Sequence, residues 1–228
     1  MAKKKALRKK LKQPDEFITI TSRAIQWGQT HAIRIGIGAA VLVALILAIT
    51  GYRYVDTQKE LKGFALLNQA RVKYAGEMAK GDSPEKVYAA VKSDYENILN
   101  EYGNRGAGRI ARKNLADICF NAKAYDRAGQ LYEKSLVDFE QEPLYHAIIL
   151  SDLAHTYQAS HNDEAAAAYF QKIIALPNGP SKDEALFDLA GIYEKQGKPD
   201  KALALYKQIN AEFADSIYIN IVKEKIAG

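Results

Sequence analysis

Residues Leu189 to Ile209 read LAGIYEKQGKPDKALALYKQI, two apolar-periodic stretches divided by Gly197-Lys198-Pro199. A glycine just past one stretch and a proline opening the next mark the end of one helix and the start of another. The segment therefore predicts a helix hairpin. Its small residues, Ala190 and Ala202, suit the place where paired helices cross closely. Its large ones, Leu189, Tyr193 and Tyr206, suit the space between them.

Working outward, the same signature recurs upstream. Leu115-Ala116, Leu153-Ala154 and Leu189-Ala190 align at spacings of 38 and 36 residues. In that frame Cys119 matches Tyr157 and Tyr193, Ala128 matches Ala166 and Ala202, and Tyr132 matches Phe170 and Tyr206. A recurring period of this length is the sequence mark of a stacked repeat array. Further breaks fall at Gly81 to Pro84, Gly103 to Gly108, Glu142-Pro143, His161-Asn162 and Pro177 to Pro180. Runs of valine and isoleucine at period two are absent, so the expectation is an all-α chain. A half-repeat carrying Tyr95 and Ile98 is expected to precede the three units, packed on a helix from Thr57 to Lys80.

These residues resemble the tetratricopeptide repeat family. Leu189 to Ile209 carries that family's Leu, small, Tyr, Gly, Ala, Tyr spacing in full. The first unit, LADICFNAKAYDRAGQLYEKSL, departs at Cys119 and Lys123, and the middle unit has His161 where the loop glycine would stand. Family repeats are usually about 34 residues long, so the longer units here imply extended loops or an extra turn. The resemblance implies an α-solenoid of helix hairpins that binds proteins.

Upstream, Ile35 to Tyr52 reads IGIGAAVLVALILAITGY, without a charge and bracketed by Arg34 and Arg53. At ~1.5 Å per residue it approaches the hydrocarbon thickness of a bilayer. A cleaved signal peptide is disfavoured, because such peptides have short basic leaders and end in an A-x-A-like site. A single transmembrane helix over 32–54 is the expectation. Gly36, Ala40, Ala44 and Ala48 recur every four residues as a stripe of small side chains, the surface that lets a second helix approach in lipid.

The charge is unevenly placed. Residues 1–34 hold nine Lys/Arg against Asp15 and Glu16, whereas the remainder holds 23 against 25 acidic residues. The basic run Lys3 to Lys12 favours a cytosolic N-terminus by the positive-inside rule, although near the membrane the far side carries more basic residues. Without interleaved aromatics the run suits anionic lipid headgroups rather than exposed bases, so no nucleic-acid partner is expected. Phe17, Ile20, Ala24, Trp27 and His31 share one helical face, a short amphipathic helix for the membrane interface. The expected organisation is a basic cytosolic tail over 1–31, the membrane helix over 32–54 and the repeats over 55–228. The layout and the juxtamembrane GYRYVDTQKE passage resemble the YfgM-type inner-membrane proteins. That resemblance implies a periplasmic repeat domain and association with the Sec translocon and periplasmic chaperones.

No catalytic, cofactor or metal site is expected. Gly36-Ile37-Gly38 lies inside the apolar span, and the glycines of 103–108 follow a helix rather than a strand. His31, His146, His155 and His161 lack the i, i+4 spacing and the partner carboxylates of a helical zinc site. Cys119, the single cysteine, shares its position with core tyrosines and cannot form an intrachain disulfide.

By the family resemblance, ligands would lie along the first helix of each repeat. The matching positions are Ile110, Lys113, Asp117 and Phe120; Ile148, Ser151, His155 and Gln158; Glu184, Phe187, Gly191 and Glu194. One family subtype grips a partner's terminal carboxylate with basic residues. Here Asp117, Glu184 and Asp188 would repel it. The expected function is a membrane-anchored scaffold or chaperone-like adaptor. The alternative is a structural or assembly subunit that self-associates through its repeats as a homo-oligomer.

Overall fold

The structure is a computed structural model and describes residues 16–177 and 179–228. The basic run Lys3 to Lys12 and the side chain of Phe17 lie outside the described residues. All regular structure in the described residues is helical: α1 Glu16–Thr30, α2 Ala32–Ala79, α3 Pro84–Tyr102, α4 Gly106–Asn121, α5 Tyr125–Asp138, α6 Pro143–Ala159, α7 Asp163–Ala175, α8 Lys182–Lys195, α9 Pro199–Glu212 and α10 Ile219–Ala227. The chain divides into two compact units, residues 1–58 and 59–228.

In the first unit, α1 ends at Thr30, whose hydroxyl donates back to the carbonyls of Gln26 and Trp27. The rings of Trp27 and His31 stack 4.9 Å apart. The stretch that follows is apolar on every side, with Ile37, Val41, Leu45 and Ile49 all exposed. α2 is long and apolar enough to cross a membrane, and none of its most apolar stretch is buried. The sequence places a boundary at residues 54–55 and a new helix from Thr57. Instead a single helix runs through: Gly51 to Glu60 contains no proline, and the Thr57 hydroxyl donates back to the Arg53 carbonyl at 2.8 Å rather than capping a new helix.

The second unit is a stack of helix hairpins. Residues of α2 beyond Lys59 pair with α3, α4 with α5, α6 with α7 and α8 with α9; α10 closes the end. Starts and stops follow local chemistry. Pro84, Pro143 and Pro199 each occupy a first-turn position, and Ser83 Oγ accepts from the Lys86 amide at the start of α3. Asn162 Oδ1 accepts from the Ala165 amide at 3.2 Å to cap α7. α4 is capped from another helix: Arg105 offers no side-chain cap, and Glu60 Oε1 accepts from the Ala107 amide at 3.0 Å. That contact demands close approach, and a Cβ on Gly63 would lie 2.9 Å from the Cβ of Ala107.

Three core clusters follow one another along the stack. The first joins Leu67, Tyr95 and Ile98 to Leu115, Cys119, Tyr132 and Leu153. The second is built on Leu150, Ala154, Phe170, Ile173 and Leu189, the third on Leu186, Ala190, Ala202, Tyr206 and Val222. Ala128, Ala166 and Ala202 are at most 1% exposed, which places them at the tight crossings within their hairpins. Fully burying a residue such as Phe170 contributes roughly 1.5–3 kcal/mol.

Three turns share one geometry. Lys123, His161 and Gly197 all have φ near +60° (59°, 60° and 68°). At each, the residue donates to the carbonyl three before it and its successor donates to the carbonyl five before it. His161 pairs with Gln158 at 3.1 Å, and Asn162 with Tyr157 at 2.8 Å. These are Schellman caps in equivalent register.

Candidate functional wall

The first helices α4, α6 and α8 turn polar side chains toward one another, and two rungs of charge link them. On the first rung, Lys113 Nζ donates to Asp117 at 2.8 Å and lies 3.2 Å from Asp152 Oδ2 on α6. The Tyr132 hydroxyl donates to the same Asp117 at 2.7 Å. Burial alone would lower the pKa of Lys113, but the hydrogen bond to Asp117 and the charge of Asp152 outweigh it and hold the ammonium above its ordinary value. Burial pushes Asp152 up despite the pull of Lys113, and pushes Tyr132 well up with help from Asp117.

On the second rung, His155 Nε2 lies 3.1 Å from Asp188 Oδ2 on α8. Its other nitrogen, Nδ1, is 3.5 Å from Ser151 Oγ, and its ring meets Phe170 edge-on at 5.4 Å. The hydrogen bond to Asp188 raises the His155 pKa; burial opposes this, and the charges of Asp188, Glu184 and Asp152 add to it. His155, Glu184 and Asp188 bring one donor atom each within 4.8 Å of one another, a set that could hold a metal ion.

The remaining positions divide by environment. Phe120 is half-buried with its ring edge-on to Tyr125 at 5.7 Å, and Ile148 is 39% exposed. Ile110 and Gln158 are half-buried, and Gly191 faces open space. Phe187 and Glu194 are engaged by the C-terminal segment: the Phe187 ring stacks on Tyr218 at 4.4 Å, and Glu194 accepts from Lys225 at 2.9 Å. A separate apolar cleft of about 790 Å³ lies at the hairpin connections, between Leu144 and His146 on one side and Leu176, Pro177 and Pro180 on the other. In the first unit Gly36, Ala40, Ala44 and Ala48 lie exposed on α2.

Sequence reasoning missed Asp152, read Tyr132 only as a repeat position, and named Asp188 only as an obstacle to carboxylate binding. One signal marks the pairing of His155 with Asp188, though not those of Asp152 or Tyr132. Arg109 with Glu142, His155 with Asp188 and Ser216 with Asp183 are all hydrogen-bonded at a separation of 33 residues. That is a few residues short of the 38 and 36 of the repeat frame, so each partner sits about one helical turn back on a neighbouring element. The expectation that the histidines lack partner carboxylates fails at His155, because Glu184 and Asp188 come from α8 rather than from its own helix.

Residues 157–226 match the family described as Tetratricopeptide repeat. The fold is tetratricopeptide-like. A crystal structure of a Podosopora anserina putative kinesin light chain with nearly identical TPR-like repeats superposes with a TM-score of 0.54 at 16% identity, covering 72% of this chain and 82% of that one. The crystal structure of MamA protein gives 0.51 at 18% identity, covering 71% and 79% respectively. At such identities the likeness concerns the fold. No curated protein sequence matches the chain significantly.

Proposed function

We propose that the chain is a membrane-anchored scaffold, or chaperone-like adaptor, that holds partner proteins against the wall of α4, α6 and α8. The observation that carries this reading is the wall itself. On α4 and α6, half-exposed Phe120 and Ile148 occur with the polar side chains of Ser151 and Gln158, a mixture that suits an extended polypeptide. The apolar surface of α2, exposed all round, suits a lipid environment better than water. The positive-inside bias of the tail favours a cytosolic N-terminus and a periplasmic repeat unit at a bacterial inner membrane, with the basic tail on lipid headgroups. A place beside the Sec translocon or periplasmic chaperones follows from the resemblance to the YfgM-type proteins. The small-residue stripe Gly36 to Ala48 offers a second contact, inside the bilayer.

Crosslinking in intact membranes tests the wall. Phe187 is a poor choice for the purpose because it holds Tyr218, so Phe120→Ala with Ile148→Ala is preferred. Truncating an interface anchor can cost ~2 kcal/mol or more. The double variant is expected to keep its helical content and membrane location while losing its crosslinks. Retention of every crosslink removes the wall as the site, and a change in sedimentation of the isolated chain points instead to self-association through the repeats.

A further inference from the structure

The His155, Glu184 and Asp188 cluster has a chemistry that peptide binding does not use. Glu184 and Asp188 stand four residues apart on α8, so they share a face one turn apart. His155 reaches that face from α6 with Nε2 leading. All three side chains are half-buried, and Phe170, fully buried, backs the imidazole. Ser151 stands at the other ring nitrogen, where the partners that fix a ligating histidine's tautomer and orientation are found. The first turn of α8 by itself favours a carboxylate at Glu184 through the helix dipole. It gives no such help to Asp188, a turn further on, whose placement opposite His155 completes the set.

We propose that these three side chains form a binding site for a divalent transition-metal ion of the zinc class. Imidazole nitrogen with two carboxylate oxygens is a donor set such ions take readily. Bonds of roughly 2.0–2.2 Å to a tetrahedral ion place donor atoms about 3.3–3.5 Å apart. The His155 and Asp188 atoms are already 3.1 Å apart, and all three donors fall within 4.8 Å, so an ion would need to draw the Glu184 carboxylate inward. The ion would also meet a charge imbalance. Glu184 in the first turn and Asp188 beyond it face one histidine, with the Tyr218 hydroxyl nearby, while Asp183 is taken by the Ser216 hydroxyl. On the other side of His155, Asp152 is occupied by Lys113. Bound there, the ion ties α6 to α8 and leaves a fourth coordination position open to water or to a donor from a bound partner. The site stands whether or not the wall holds a polypeptide.

The test uses the full chain in detergent, stripped with a chelator and titrated with zinc chloride by calorimetry, with a thermal melt alongside. The expected result is one equivalent bound and a raised melting temperature. Glu184→Gln and Asp188→Asn should each weaken binding about a hundredfold, and Ser151→Ala about tenfold, as loss of an outer-shell partner does. His155→Ala should abolish binding; if that variant does not fold, Glu184→Gln and Asp188→Asn carry the reading. Absence of heat and stabilisation in the parent chain overturns the proposal. So does binding that survives unchanged in both carboxylate variants, because the ion is then held elsewhere. Wall-dependent crosslinks are measured separately with the chelator present, so neither failure can be mistaken for the other.

Discussion

Replacing His161 by glycine should stabilise the repeat unit. His161 holds φ at 60°, in the left-handed region, at the end of α6. An L-residue with a Cβ pays about 1–2 kcal/mol there. Glycine removes that strain but loses about 0.4–1 kcal/mol through its freer unfolded chain. The net gain is about 0.5–1 kcal/mol for one site. It is roughly double for His161→Gly with Lys123→Gly, since the two turns lie in different hairpins and should add. Each kilocalorie corresponds to about 2–4 °C in melting temperature for a unit of this size. Two controls sharpen the reading. Gly197→Ala, at φ 68°, should lose about 1 kcal/mol, and Ser160→Gly, at φ −85°, should lose rather than gain. Circular dichroism melts and urea titrations of the four chains give the answer. If His161→Gly lowers the midpoint, or Gly197→Ala leaves it unchanged, the equivalence of the three turns is wrong.

Two other outcomes are expected. Glu60→Ala removes the acceptor that caps α4 and should cost about 0.5–2 kcal/mol, with amide exchange rising first at Ala107; protection of that amide unchanged from the parent would refute the cross-helix cap. In cells with a permeabilised outer membrane, a cysteine replacing Gly228 should react with an impermeant thiol reagent and one replacing Ala6 should not. Cys119 is buried and contributes little background, and reversed labelling would invert the topology.

The repeats were legible because their information is local and periodic. Leu115, Leu153 and Leu189 are at most 2% exposed, and the half-repeat residues Tyr95 and Ile98 are both 1% exposed. Helix ends were legible where proline or glycine marks them and at His161-Asn162. At Ala122 to Ala124 the chain turns with neither, and only the family spacing, from which Lys123 departs, touched on the turn; Lys123 fills its left-handed position. The unbroken course of α2 was not legible, since an apolar span and an amphipathic continuation differ in periodicity without differing in helix propensity. α10 is short, with a single buried residue, Val222, and its periodicity was too brief to stand out. The pairings of Lys113 with Asp152 and of His155 with Asp188 escaped because their members sit on different helices, and pairings between helices depend on how those helices pack.

That last short helix has a consequence for how many chains sit together. An array built from like units has two ends, each resembling the surface its own neighbours bury, and an uncovered end invites the next molecule to add as another unit. Contacts of that head-to-tail kind do not close on themselves and grow into open filaments. α10 covers the face of Ala202, Tyr206 and Ile209 with Val222 and Ile226, while Lys223 and Glu224 point outward. A further unit adding against that face of α9 would first have to displace α10.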